Sequence, residues 1–392
     1  MKILHTVESY LPATGGMVKV VQELSERLAH KGHQLTIATS YHPQRKNLII
    51  NQVQIKQFKI SGKAVTGYLA EKSEINHYQN YLLRSNFDII TNFAAQQWAT
   101  DITLPLLSKI KVKKVFVPTG FSELYNPQYK TYFRQMKTWM KQYDMNVFLS
   151  NDYRDINFAR ENGVKKRILI PNGASEKEFF SSQRINIRKQ FKIPSVNFLI
   201  ILVGAHTGAK GHREVIEIFK KANITDATLL IVANSSLTRC ARQCFLSKHI
   251  FNSSLKRHVD KKQLIIRSLT RQETINAYKT ADLFLFPSNI ECSPLVLFEA
   301  MASNTPFLVT DVGNAKEIIS WSKSGLLLPT TINFQGFSYA QVDQSAKILE
   351  NIYNNKHQRK IMAELGYKAW QKQFTWEKIT KRYEKLYQSL LQ

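Results

Sequence analysis

"FLIILVGAHTGAKGHREVIEIF", residues 198–219, carries the reading on which the fold turns. The uninterrupted apolar run 198–203 suits a strand buried on both faces and is too short for a helix. Gly204 ends that run, and Lys210 with Gly211 opens a helical segment from about His212. The same order recurs along the chain. "ATLLIVA" (227–233), "QLIIRS" (263–268), "ADLFLFPS" (281–288) and "TPFLVTD" (305–311) follow it, each spaced by helix-like sequence. "KILHTV" (2–7), "QLTIAT" (34–39), "FDIIT" (87–91), "KKVFVP" (113–118) and "MNVFLS" (145–150) precede it. Such alternation predicts an α/β protein with parallel sheets covered by helices.

At 392 residues the chain exceeds the size at which one hydrophobic core stops growing. Two doubly wound, Rossmann-like domains are expected, 1–176 and 177–370, divided where Pro171, Asn172 and Gly173 punctuate "ILIPNGASEKEFF". Ligands of such sheets bind at the carboxyl ends of the strands, so two of them facing each other would make a cleft. Residues 371–392 end in "WEKITKRYEKLYQSLLQ", which puts Ile379, Tyr383, Leu386, Tyr387 and Leu390 on one helical stripe that must dock.

The 55 Lys and Arg against 29 Asp and Glu give a net charge of +26, spread over both halves, which calls for an anionic partner or a solvated surface. Three cysteines make no disulfide framework and suit a reducing compartment. "MKILHTVESYLP" turns polar too early for a secretory leader, and no apolar run approaches the roughly eighteen residues of a membrane span. The expectation is a cytoplasmic chain, at most peripheral at the inner membrane face.

Three places read as anion seats. Gly15 and Gly16 open the helix that follows the first strand, where unpaired backbone N–H groups and the helix dipole favour phosphate by roughly 0.3–2 kcal/mol. G-x-G-x-x-G is absent, which disfavours a dinucleotide enzyme. Lys210, just beyond Gly204, is a point charge at a strand-to-helix mouth and suits a diphosphate leaving group. In "PSNIECSPLVLFEAMASNTPFLVTDVGNAKEI" (287–318), Ser293 reads as an N-cap and Pro294 as the first helical residue, exposing the N–H groups of Leu295 and Val296. Glu299 sits among apolar residues on that helix and needs a partner, because an unpaired buried carboxylate costs several kcal/mol. A sugar diol satisfies it; the alternative is an ion pair with a core lysine or arginine. Glu291, on the loop ahead of the helix, suits hydroxyls of a second sugar.

Taken in order, these pieces resemble the retaining glycosyltransferases of family 4, which have the two-domain GT-B fold, and the resemblance spans nearly the whole chain. It rests on "GGMVKVVQELSERLAHKGHQLTIATS", "IPNGA", Gly204 with Lys210 and Gly211, "ADLFLFPS", Glu291 and Glu299 in E-x7-E spacing, "EAMASNTPFLVTDVGNAKEI" and "FTWEKITKRYEKLY". The resemblance implies a nucleotide-sugar donor as substrate, with Gly16 and Lys210 on its diphosphate, Glu291 on the transferred sugar and Glu299 on the ribose. It further implies that 371–392 return to the first domain, that no metal is needed, and that the departing diphosphate takes the acceptor's proton. Cys240, Cys244, His249 and His258 match no common zinc spacing.

The sequence also departs from the family. Ala205 stands where an arginine is usual, with His206 beside it as the candidate substitute; Thr119 precedes Gly120 where a histidine is frequent; "FDIITNFAAQQWATD" lacks the histidine of many relatives; and "ECSP" replaces a glycine-rich "EGFG". A catalytically silent module that supports a partner enzyme is therefore one rival reading. A nucleic-acid-binding protein is the other, carried by charge alone and lacking any recognition motif. On the acceptor side, "NFAAQQWATD" and the run 118–144 are expected to receive a glycan or lipid-linked acceptor. Tyr125, Tyr129, Tyr132, Phe133, Trp139 and Tyr143 interleave there with Lys130, Arg134, Lys137 and Lys141, suiting either an anionic membrane surface or an aromatic core.

Overall fold

A computed structural model of the chain describes residues 1–84, 86–180, 185–234, 238–253 and 259–392. Two units divide it: Met1–Asn172 with Trp376–Gln392, and Gly173–Thr375.

In the first unit the apolar runs become β1 (Lys2–Thr6), β2 (Gln34–Ser40), β3 (Ile49–Ile50), β4 (Val53–Phe58), the hairpin β5 (Ser61–Lys63) and β6 (Gly67–Leu69), then β7 (Ile89–Phe93), β8 (Lys113–Val117), β9 (Met145–Phe148) and β10 (Arg167–Leu169). The main sheet runs β10-β9-β8-β7-β1-β2-β4-β3 and is parallel except for β3. Strand order reverses between β1 and β7, so the loops that follow those strands flank the crevice such sheets offer to ligands. The helix Gly16–His30 buries Val18, Val21, Leu24 and Leu28, the stripe its spacing requires. The helix Trp376–Leu391 packs on it and buries Ile379, Tyr383, Leu386 and Tyr387, with Leu390 half-buried. Lys31 reaches Glu377 at 2.8 Å and His33 reaches Glu384 at 2.9 Å. The Tyr387 hydroxyl, fully buried, lies 2.7 Å from Thr91 Oγ1 and 3.2 Å from His5 Nε2, which ties the last helix to β7 and β1.

The second unit holds β11 (Phe198–Val203), β12 (Ala227–Val232), β13 (Lys262–Arg267), β14 (Leu283–Phe286), β15 (Phe307–Thr310), β16 (Gly325–Leu328) and the hairpin β17 (Thr330–Ile332) and β18 (Ser338–Ala340). Its six-stranded sheet, β13-β12-β11-β14-β15-β16, is parallel throughout. Continuous burial of β11, β12 and β14 explains why their sequences read as unbroken apolar runs rather than alternating ones. Here strand order reverses between β11 and β14.

The unit boundaries differ slightly from those expected at 176/177 and 370/371. Ala174 already pairs with Thr375 and accepts a hydrogen bond from Trp370 Nε1, so Gly173 to Glu176 and Trp370–Phe374 belong to the second unit.

Candidate functional site

Two loops meet at the reversal point of the second sheet, 204–211 after β11 and 287–294 after β14. They are laced together: Asn289 N–H and Ser288 Oγ both donate to the carbonyl of Ala209, at 2.9 and 3.0 Å. Gly211 makes this approach possible. Its φ is +69°, and a Cβ there would fall 2.0 Å from the Pro287 carbonyl oxygen. A Cβ on Gly204 would press to 3.2 Å on Cβ of Lys210, so that glycine gives the lysine stem its room over the strand end. The result is a charged pair at the mouth of the crevice: Lys210 Nζ lies 2.6 Å from Glu291 Oε1, and Ser288 Oγ, whose one proton is shared with the Ala209 carbonyl, lies 2.9 Å from the same oxygen. Lys210 keeps 28% of its side chain exposed and Glu291 12%, so the pair is reachable from solvent yet held.

The helix that follows, Leu295–Ala302, starts differently from the sequence expectation. Pro294, not Ser293, is the N-cap, and its carbonyl accepts from Leu297 N–H at 3.2 Å. Ser293 is diverted because its Oγ accepts from Asn314 Nδ2 at 3.1 Å, while Asn314 N–H donates to the Cys292 carbonyl. Leu295 and Val296, both half-buried, are the first two helical residues, so their N–H groups have no acceptor within the helix.

Glu299 is buried, and Oε1 lies 2.7 Å from Arg271 Nη2, which also lies 2.7 Å from Glu178 Oε2. An ion pair with a basic residue of the same unit, the alternative open to the sequence, therefore accounts for the buried carboxylate, and the inference from burial to a sugar diol lapses. Burial opposes the Arg271 charge, but the carboxylates of Glu299 and Glu178 more than offset it and hold the guanidinium above its ordinary range. Arg271 was not legible as a site residue because its partners lie far off in sequence. The available signal was a buried glutamate lacking a local partner, together with the Thr270–Glu273 capping box that sets Arg271 at a helix start. Ser288 and Asn314, which orient Glu291 and the helix mouth, were likewise missed.

His206 does not replace the arginine absent at Ala205. Only 3% exposed, it turns its ring to Cys240 and His212 rather than to the loop surface, leaving Lys210 as the surface cation of 204–211.

In the first unit Gly15 caps the helix Gly16–His30; both glycines are exposed, and a Cβ on Gly15 meets no atom within 4 Å. Packing within the unit thus does not require the small residue. Around the neighbouring strand ends, Ala94, Gln96, Thr119 and Phe121 hold left-handed φ of 59°, 62°, 59° and 49°. Each costs about 1 kcal/mol, and such strain concentrates at functional sites. Asp155 underpins it, accepting from Gly120 N–H at 2.9 Å and Ile156 N–H at 3.0 Å; burial raises its carboxyl to about 6.

The aromatic and cationic run resolves in favour of the core. Tyr129, Tyr132, Phe133 and Tyr143 are buried, Trp139 is half-buried and only Tyr125 is exposed, whereas Lys130, Arg134, Lys137 and Lys141 face solvent. Of the two alternatives the sequence leaves open for this run, the aromatics take the core.

Residues 183–369 match the family described as Glycosyl transferases group 1. Along its full length the chain is 24% identical to the N-acetyl-alpha-D-glucosaminyl L-malate synthase of Bacillus anthracis, covering 98% of that protein. Among solved structures, sucrose-phosphate synthase of Thermosynechococcus elongatus is similar with a TM-score of 0.77 at 17% identity, over 100% of this chain and 99% of that one. HepE of Anabaena, solved in complex with UDP, gives 0.74 at 14% identity, over 99% and 100%.

Proposed function

We propose that this chain, a group 1 glycosyltransferase with the GT-B fold, moves a sugar from a nucleotide-sugar donor to a glycan or lipid-linked acceptor with retention of anomeric configuration and no metal on the diphosphate. The observation that carries the reading is the Lys210–Glu291 pair, 2.6 Å apart where β11 and β14 part. An ammonium has three donors, and only one is needed for Glu291, so the others suit oxygens of a diphosphate at the same spot. The first-turn N–H groups of Leu295 and Val296 add a fixed dipole. Both contacts to Glu291 fall on Oε1, which leaves Oε2 for hydroxyls of the transferred sugar. Glu299, steadied through Oε1 by Arg271, would offer its second oxygen to the ribose; that role rests on the family resemblance. Gly15 and Gly16, at the start of the helix Gly16–His30, would offer free N–H groups to an anion; that role rests on the family resemblance.

In the reaction the anomeric C–O bond to the diphosphate breaks, a C–O bond to the acceptor forms on the same face, and the acceptor's proton passes to the departing diphosphate. The protein then positions reactants and stabilises charge, and the scheme asks no nucleophile of it. UDP-, GDP- and ADP-sugars tested as donors, with product configuration read by NMR, decide the matter. Retained configuration from one of them, lost in Glu291→Ala, is expected; inversion, or failure of every donor to bind, sinks the reading. Ala205 and the buried His206 favour one rival, a catalytically silent module, and donor binding without turnover would establish it.

A further inference from the structure

Where the start of the helix Arg239–Asn252 meets the buried side of loop 204–211, sulfur and nitrogen ligands come together. We infer that His206, Cys240 and Cys244 form a binding site for one thiophilic metal ion, zinc by its chemistry, held by two thiolates and one imidazole. Their ligand atoms all lie within 4.8 Å of one another, and Cys240 Sγ is 3.6 Å from His206 Nδ1. Sulfur and nitrogen on one tetrahedral zinc stand about 3.6 Å apart, given Zn–S and Zn–N bonds of about 2.3 and 2.0–2.1 Å. A disulfide does not fit the same residues. Cysteines four apart on a helix have Cβ atoms about 5–6 Å apart, against the roughly 3.8 Å that a disulfide requires.

The histidine is held in place from both sides: its N–H donates to Asn234 Oδ1 at 3.0 Å, and its carbonyl accepts from Thr238 Oγ1 at 3.0 Å. Thr238 also caps the cysteine-bearing helix. His206 and Cys244 are buried and Cys240 half-buried, so two sides are dry and one admits an ion. A second observation is independent of the cluster. The ring of His212 lies 4.4 Å from that of His206, and its Nε2 must donate to the Gly204 carbonyl at 3.1 Å. His212 Nδ1 then carries a lone pair, buried and without a hydrogen-bond partner among the described residues. A water in the fourth coordination position supplies the donor that this nitrogen lacks. Binding releases two thiol protons to solvent and leaves the site neutral.

Sequence spacing alone does not point to such a site. The third ligand lies 34 residues upstream, outside any local spacing rule. His249 takes no part, and His258 lies outside the described residues. The site is separate from the transferase reading, though an ion there would stiffen the loop that carries Lys210.

The test uses the full chain, reduced and stripped with a chelator, then titrated with Co²⁺ and back-titrated with Zn²⁺. Expected is one equivalent of cobalt with sulfur-to-metal charge-transfer and tetrahedral d–d bands, displaced by zinc. The bands should persist in Cys292→Ser and His249→Ala. They should vanish in Cys240→Ser, whose half-exposed position tolerates the change, with affinity falling about 100-fold or more. Absence of the bands in the wild-type chain, or their survival in a folded Cys240→Ser/Cys244→Ser variant, overturns the inference whatever the transferase assay gives.

Discussion

Lys210 is the residue on which catalysis would lean hardest, because nothing else on the surface of 204–211 carries a positive charge. Lys210→Ala is expected to cost about 3–4 kcal/mol of barrier, seen as a loss of about 10²–10³ in kcat, with the melting temperature little changed. A steady-state comparison at saturating donor checks this; an unaltered kcat would move the diphosphate elsewhere. Arg271 belongs to the same scale but to a different purpose. Arg271→Ala strands the buried carboxylate of Glu299 and should destabilise the chain by about 2–3 kcal/mol, at the low end for a buried pair because Arg271 is 40% exposed. Calorimetry should show partial recovery in Arg271→Ala/Glu299→Ala, since removing both charges removes the stranded one. Glu291 and Lys210 were legible from type and position; their mutual contact was not, since they are 81 residues apart and only the lacing of two loops joins them.

At the scale of elements, the strained turn after β8 depends on the helix Arg154–Glu161, which contributes Asp155 near its start. Burial raises the Asp155 carboxyl to about 6, above its ordinary 3.8, so the folded chain takes up this proton before the unfolded one does. The stabilisation is fully present below about pH 4 and is lost as pH rises through about 6. Urea titrations at pH 4.5 and 7 should therefore show Asp155→Asn gaining on wild type at the higher pH, by about 1–3 kcal/mol. An equal difference at both values would remove the assignment. Elements with a strong period were legible: the helix Gly16–His30, the buried strands and the last helix. The start of the helix Leu295–Ala302 was misplaced by one residue because Asn314, distant in sequence, takes the Ser293 hydroxyl that local rules assign to capping.

For the molecule as a whole, +26 remains the least local property. With the aromatics of 129–143 largely buried, contact with a membrane would rest on exposed Lys130, Arg134, Lys137 and Lys141, each contributing about 1 kcal/mol at an anionic surface. Flotation should accordingly find the chain on anionic vesicles at low salt and not on neutral ones, with binding reversed by salt; absence from both would dismiss the contact. Among the described residues no helix is long and apolar enough to cross a membrane.

The order of strands and helices, two sheets rather than one and the family resemblance all followed from the linear chain, because periodicity, glycine punctuation and apolar run length are properties of neighbours in sequence. What partners the charges was decided only in three dimensions. Arg271 on Glu299, Ser288 on Glu291, Asn314 on Ser293 and His206 beside Cys240 all join segments that packing of the parallel sheet brings to its carboxyl edge, and a buried polar group takes whichever partner the fold delivers there.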